Sequence, residues 1–400
     1  MRKMLEGVMV IDLTQAYAGP FCTMTLADHG AKVIKVERLQ GDQTRGWGPI
    51  VNDYSAYFAF LNRNKKGITL DLTTPRGKEV FLKLVKAADV VCENYKVGTM
   101  EKMGLGYEEL KKVNPKLIYA SISGFGTNGP LSSRPAYDIV AQAMSGLLSM
   151  TGPLGGPPVK AGPSIGDNNA GVYMALGVSM ALYRRSVTGE GARIDVAMLD
   201  VLYSALENAV VAYTVAGEIH KPVGNIDPAL APFDSFEAQD GTFVMGTGTN
   251  KMWAQLCQEM GRTELIEDPR YNTNDNRCKN YLPGLKNIVE EWTKTKTIAE
   301  IEAILVRLSI PFGEIMDVGQ ITEHPQIQAR NMVQVIDDPV LGKFRAPGIP
   351  LKVFGVSDKI EHAAPTLGQH NAEVLKELGY NDAEIDDLDK DGIITCLLDK

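Results

Sequence analysis

The chain has 400 residues, with 41 Lys and Arg against 49 Asp and Glu for a net charge of −8, and its pI lies near 5.3. Hydrophobic residues at 44% and charged residues at 22% are ordinary globular usage, which excludes a disordered chain and leaves room for two domains around real cores. The acidic balance argues against nucleic acid or an anionic membrane surface as the main partner, while a local basic pocket remains compatible with it.

Val8 to Leu13 is a short apolar run followed by the loop Thr14 to Pro20, and Pro20 suits the first turn of a helix running through Ala27. Gly30 stops that helix, and Ala31 to Glu37 resumes as a strand, so the opening reads as a βαβ unit. Strands at Ile68 to Leu72, Asp89 to Cys92 and Leu117 to Ser123 then alternate with helices at Arg76 to Ala87 and Tyr107 to Val113. This alternation predicts an α/β fold, a Rossmann-like parallel sheet with helices on both faces.

From Tyr137 the pattern turns helical, with Val140 to Met150 and then a helix whose apolar body is Val172 to Arg185. The turn Thr188-Gly189-Glu190-Gly191 precedes a strand at Arg193 to Ala197 and a long helix at Leu199 to Val215. The segment 217–232, rich in Gly, Pro and Asn, reads as a linker that closes a large domain over residues 1–216. A smaller α+β domain is expected over 233–315, with a strand at Thr242 to Gly246, a helix from Lys251 to Gly261, and a helix opened by the capping box Thr297/Glu300. Residues 316–400 are read as a linker and a C-terminal return, with strands at Val333 to Ile336 and Pro350 to Val353 and helices near Asn371 to Leu378 and Asp382 to Lys390.

Five scattered cysteines (Cys22, Cys92, Cys257, Cys278 and Cys396) form no C-x-x-C pair, so neither a disulfide framework nor a zinc site is suggested, and a reducing cytoplasm is the expected location. Acids at Glu6 and Asp12 spoil a signal-peptide reading, and the nearly uncharged run Ala170 to Tyr183 is too short to span a bilayer. A dinucleotide site is disfavoured. Glu37 sits where a ribose-binding acid would, but the first turn offers only Ala18-Gly19-Pro20 in place of G-x-G-x-x-G, and no P-loop sequence occurs. The five histidines (His29, His220, His324, His362 and His370) all lie outside 30–219, which leaves carboxylate chemistry as the economical choice there.

One carboxylate stands out. Gly162-Pro163-Ser164-Ile165-Gly166-Asp167-Asn168-Asn169-Ala170-Gly171 places Asp167 among small residues at or beside a helix start. Unpaired N–H groups and the macrodipole would there favour the ionised form and could hold a nearby anion. An accessible ionised aspartate is a candidate nucleophile, and a plain N-cap is the competing reading.

Nine segments, in order, carry a resemblance. They are Ala18-Gly19-Pro20; Val33 to Glu37 with Gly41-Asp42 and Arg45-Gly46; Asn62 to Lys66; Glu93-Asn94-Tyr95; Gly104 to Tyr107; Ser123 to Gly126 with Gly129-Pro130; Tyr137 to Ala143; Gly166-Asp167; and Thr188 to Gly191. Together they resemble the class III CoA-transferases (CaiB/BaiF type), the group that includes formyl-CoA transferase and carnitine CoA-transferase.

The resemblance implies that Asp167 is the catalytic nucleophile, attacking an acyl-CoA thioester to form a mixed anhydride and then an aspartyl-CoA thioester. It implies CoA contacts at Gln15, Tyr17, Ala18, Arg38, Leu70, Asp71, Leu72, Thr73, Asn94, Tyr95, Lys102, Tyr137 and Asp138. Arg38 and Lys102 would be phosphate partners, whereas Lys65 and Lys66 read equally well as a solvated charge pair. Tyr137 reads alternatively as a core aromatic, and Asp138 as a cap of its own helix. The resemblance further implies an interlocked homodimer, no metal or redox cofactor, CoA as cosubstrate, and an acyl-CoA donor with a small carboxylic acid acceptor as partners.

Two departures from formyl-CoA transferase bear on the substrate: Tyr17 stands where that enzyme has a glutamine, and the segments 225–233 and 246–250 lack its glycine run, which argues against oxalate and formyl-CoA as the pair. The rival of the same fold is α-methylacyl-CoA racemase. Its base is a histidine where this chain has Tyr137, and an ordinary tyrosine is a poor base at neutral pH. A non-catalytic CoA-binding protein is the alternative from a different class.

Overall fold

The computed structural model describes residues 3–395, so Cys396 lies outside it. The first forty residues form the expected βαβ unit, with strand β1 (Met9–Asp12), helix α1 (Ala18–Asp28) and strand β2 (Lys32–Glu37). There follow α2 (Ala56–Leu61), β3 (Lys65–Thr69), α3 (Pro75–Ala87), β4 (Val90–Glu93), α4 (Tyr107–Val113) and β5 (Ile118–Ser123). After these come α5 (Asp138–Ser145), α6 (Ile165–Thr188), β6 (Ala192–Ala197), α7 (Met198–Ser204) and α8 (Ala209–Ala216).

The six strands make one parallel sheet in the order β3-β2-β1-β4-β5-β6. Neighbouring residues within each strand serve opposite faces. Val10, Val33, Val90 and Ile118 pack under Cys22, Leu26, Met174, Val178 and Leu202, while Ile11, Ile34, Val91 and Tyr119 pack under Phe81, Leu84, Leu110, Val374 and Leu375. Burial on both faces is why β1, β4 and β5 read as largely apolar runs.

The chain divides into two compact units, one of Met1–Leu147, Lys160–Glu218 and Pro325–Lys400, the other of Leu148–Val159 and Ile219–His324. The second contains an antiparallel sheet built on Phe233–Glu237 and Thr242–Gly246, with a core that includes Trp253, Leu285, Ile301 and Leu305. Its Thr297/Glu300 capping box forms as expected and opens the helix Ile298–Arg307.

Several expected elements differ. The long helix over Val140 to Met150 breaks at Gly146, whose φ of 96° ends α5 in a left-handed cap before a separate turn at Leu147–Met150. The helix expected over Leu199 to Val215 is two, α7 and α8, parted where Glu207 takes a φ of 52°. Pro350 to Val353 is not a strand; the partner of Val333–Asp338 is Gly342–Pro347, whose charged alternation hid it and whose terminal Pro347 ends the ladder. The β3 strand starts at Lys65 rather than Ile68, because Lys65 is buried in it. A hairpin at Ile50–Val51 and Tyr54–Ser55 was missed, although Asn52 and Asp53, both at positive φ, are residues that suit such a turn. No helix is long and apolar enough to cross a membrane among the described residues.

Candidate active site

Strand order reverses about β1: the chain runs outward through β2 and β3, then returns to place β4 on the other side. Ligands of open α/β sheets lie at the carboxyl ends of the strands near such a reversal. Here that position holds a cavity of about 740 Å³. Gln15 and Ala16 line it from beyond β1, Asn94 to Val97 from beyond β4, Ile122 to Gly124 from the end of β5, and Met198 from beyond β6.

The loop after β1 is held from below by buried charge. Asp12 accepts from Thr14, from Thr23 and from Lys65 Nζ at 3.0 Å, and both Asp12 and Lys65 are fully buried. Burial raises the Asp12 carboxyl, but Lys65, Lys35 and the two threonine hydroxyls more than offset it and hold it below its ordinary value. Burial and the neighbouring Lys35 bring Lys65 down to about 8, with Asp12 pulling the other way. Lys35 spans Thr14 O and Asp42. Lys65 is therefore a structural cation and not half of a solvated pair. Lys66, partly exposed, pairs instead with Glu373. Above this cluster Ala16 takes a φ of 64°, and Gln15 is clamped by Asn94 through two main-chain hydrogen bonds of 2.8 and 2.7 Å.

Asp167 lies in the first turn of α6 and lines the cavity. Of the four N–H groups that a helix start leaves unpaired, here those of Ser164 to Asp167, three are taken, and Asn168 N closes the first intrahelical bond. Ile165 N donates to Pro163 O and Asn168 N to Ser164 O, while Gly166 N and Asp167 N both donate to Asp138 Oδ1, at 2.7 and 3.4 Å. Asp138 thus caps α6 from another helix, not its own. Among the described residues, the Asp167 carboxyl itself makes no hydrogen bond, so it is not a cap. The expectation that the helix start keeps it ionised is overturned. Burial, with the charge of Asp138 added, pushes its carboxyl up from the usual 3.8 to about 7. Of the donors expected to hold an anion at this loop, those of Ile165, Gly166 and Asp167 are likewise engaged.

Tyr17 donates its hydroxyl to Asn168 Oδ1 at 2.7 Å, and burial together with the Asp167 charge raises it. Its ring stacks on Phe21 and meets Tyr57, which meets Trp47, making an aromatic wall. Tyr57 is raised too, by burial and by its neighbours Tyr17 and Asp167. Neither Trp47 nor Tyr57 was singled out from the sequence; the Asn-Asp turn of the hairpin between them was the available signal.

Of the residues expected to touch CoA, the cavity gathers Gln15, Tyr17, Ala18, Asn94, Tyr95, Tyr137 and Asp138 with Asp167. Tyr137 is 70% exposed, so it is no core aromatic. Arg38, Lys102 and Leu70 to Thr73 lie outside the lining. Arg38 is exposed and donates to Gly41 O, and Lys102 is exposed on the turn Thr99–Lys102. Leu70 and Leu72 are core side chains, and Asp71 accepts from Thr73. Lys96, Arg134 and Lys160 are cations that the cavity adds.

The profile described as CoA-transferase family III matches residues 5–371. The acetyl-CoA:oxalate CoA-transferase of Acetobacter aceti is 41% identical, over 95% of this chain and 97% of that protein. The succinyl-CoA:mesaconate CoA-transferase of Haloarcula hispanica is 40% identical, over 96% and 99%. Among solved structures, a CaiB/BaiF family protein from Brucella suis superposes with a TM-score of 0.84 at 37% identity, over 94% of this chain and all of that one.

Proposed function

The chain belongs to CoA-transferase family III and is a CoA-transferase; from that premise we propose that it moves CoA between short organic acids by way of acyl intermediates on Asp167. The observation that carries this reading is the Asp167 carboxyl, free of hydrogen bonds among the described residues and facing the cavity at the sheet's carboxyl edge.

In the proposed sequence an Asp167 carboxylate oxygen bonds to the thioester carbonyl carbon, and the C–S bond breaks to release CoA thiolate. The thiolate then attacks the Asp167 acyl carbon of the mixed anhydride, freeing the donor acid. An acceptor carboxylate displaces the thiolate from the aspartyl thioester, and the thiolate takes the acceptor's acyl carbon, restoring Asp167. Ionisation of Asp167 comes first, so a carboxyl raised to about 7 holds back part of the enzyme at neutral pH. CoA enters as cosubstrate. Lys96, Arg134 and Lys160 support an anionic ligand in the cavity. The relatives named for oxalate and mesaconate support a short dicarboxylic acid as the acceptor.

A homodimer is part of the proposal. Its support is an exposed apolar stripe on α6 (Val172, Leu176, Met180, Tyr183 and Val187), together with α8, which buries none of its residues. The racemase reading loses its base, since no histidine stands among the described residues lining the cavity. The test is a panel of CoA thioesters and acids read by mass spectrometry, with hydroxylamine or borohydride trapping. An adduct on Asp167 that appears with the donor alone is expected. Turnover with no adduct, or turnover by Asp167→Ala, would overturn it.

A further inference from the structure

Asp138 is 8% exposed and both its carboxylate oxygens are occupied by the protein. Oδ1 receives the main-chain N–H groups of Gly166 and Asp167, and Oδ2 receives Gln142 Nε2 at 2.6 Å. Gln142, fully buried one turn along α5, accepts from Ala161 N at 3.0 Å. The pair therefore ties α5 to both ends of the segment 161–167. The fit leaves no slack. A Cβ on Gly166 would stand 2.9 Å from Asp138 Oδ1 and 3.0 Å from Leu202 Cδ1.

We propose that Asp138 is a positioning residue for the Asp167 nucleophile, holding the first turn of α6 by its main chain, with Gln142 as the tie that aims Asp138. This rests on the transfer reading of Asp167 given above and deepens it. An intrahelical cap, such as an aspartate at the Ser164 position, would hold the same N–H groups. It would not register the nucleophile against α5, nor set a second negative charge beside it. That charge contributes to raising the Asp167 carboxyl. The other titratable groups facing Asp167 are Tyr17, ahead of α1, and Tyr57 on α2, with Lys96, Arg134 and Lys160 lining the same cavity.

The hydrogen-bond inventory designs the test. In Asp138→Asn the new amide oxygen can still take Gly166 N–H, but the new NH2 faces the Gln142 NH2, and Gln142 cannot turn over without abandoning Ala161 N. Adding Gln142→Glu re-makes every bond: the amide at 138 donates to the carboxylate at 142, whose other oxygen accepts from Ala161 N. The pair is restored with its charge moved one helical turn away. Turnover, thioester KM, the pH profile of kcat and thermal melting are measured for Asp138→Asn and for the double variant.

The expected result is a kcat lowered about tenfold in Asp138→Asn, the size of one mismatched buried hydrogen bond, at nearly unchanged thioester KM. The double variant recovers most of the loss, while the acid limb of kcat stays at lower pH than in the unsubstituted enzyme in both. Unchanged kcat in Asp138→Asn, an effect confined to thioester KM as for a CoA contact, no recovery in the double variant, or an unmoved limb overturns the proposal. If Asp138→Asn does not fold, the limb of the double variant decides alone. Asp167→Ala separates the two readings. If it still turns over, the transfer mechanism itself fails; if it is inactive while the Asp138 variants behave as wild type, only the positioning role falls.

Discussion

Replacing Asp167 by Asn should make the protein more stable while destroying its activity. The carboxyl is lifted from the usual 3.8 to about 7, first by burial and then by Asp138. A raised carboxylate favours its protonated form in the fold. The cost of ionising it is therefore absent below the unfolded value, grows across the interval, and is complete above about 7. At about 1.4 kcal/mol per pH unit the interval amounts to about 4 kcal/mol, which water in the open cavity reduces to about 2–4 kcal/mol. The neutral, isosteric amide avoids this cost. For a chain of this size the gain corresponds to a Tm higher by about 2–5 °C at pH 8, and to less than half of that at pH 5. Melting curves of both proteins at the two pH values measure it. If Asp167 were merely an N-cap, the substitution would instead leave stability near its starting value or lower it by a pH-independent amount, since Asn caps nearly as well as Asp. A loss of Tm at pH 8, or equal shifts at both pH values, refutes the burial argument. Trapping on the same variant should yield no adduct.

The kcat profile, followed between about pH 5.5 and 9, should fall on the acid side with a midpoint near that of Asp167, because only the ionised carboxyl attacks; a flat profile down to about pH 5 contradicts this. Gly171→Ala would put a Cβ 2.7 Å from Ala18 O, main chain against main chain across the α1–α6 contact. It should cost about 1–3 kcal/mol by denaturant titration, whereas Gly162→Ala, with nothing near, should stay within about 0.5 kcal/mol. Lys65→Met strands the Asp12 charge in the core and should cost about 3–5 kcal/mol; Lys66→Met breaks a partly exposed pair and should cost less than about 1 kcal/mol in the same assay.

Much of the sheet was legible because burial on both faces writes itself into β1, β4 and β5 as largely apolar runs and into β2 as one broken by the buried Lys35, with Gly30 and Gly189 marking where helices stop. The α4 and Thr242–Gly246 boundaries and the Thr297/Glu300 box follow from local patterns alone. The misreadings differ in cause. Gly146 and Glu207 break helices through positive-φ backbone at single positions, whereas the strand opening on Lys65 depends on a partner far along the chain; the signal of two adjacent lysines is the same whether one is buried against Asp12 or both face water.

The same division runs through the site. Residue types and spacing were enough to single out Asp167, as a carboxylate among small residues before an apolar helix in a segment without histidine. Its ionisation is another matter. Read locally, a helix N-terminus favours the charged form. In the folded chain Asp138, 29 residues earlier, takes the N–H groups of Gly166 and Asp167, and burial does the rest. Local sequence can specify which groups are present and which turn carries them. The carboxyl's charge depends on what surrounds it, and only packing α5 against α6 brings that second carboxylate within hydrogen-bonding distance of the turn.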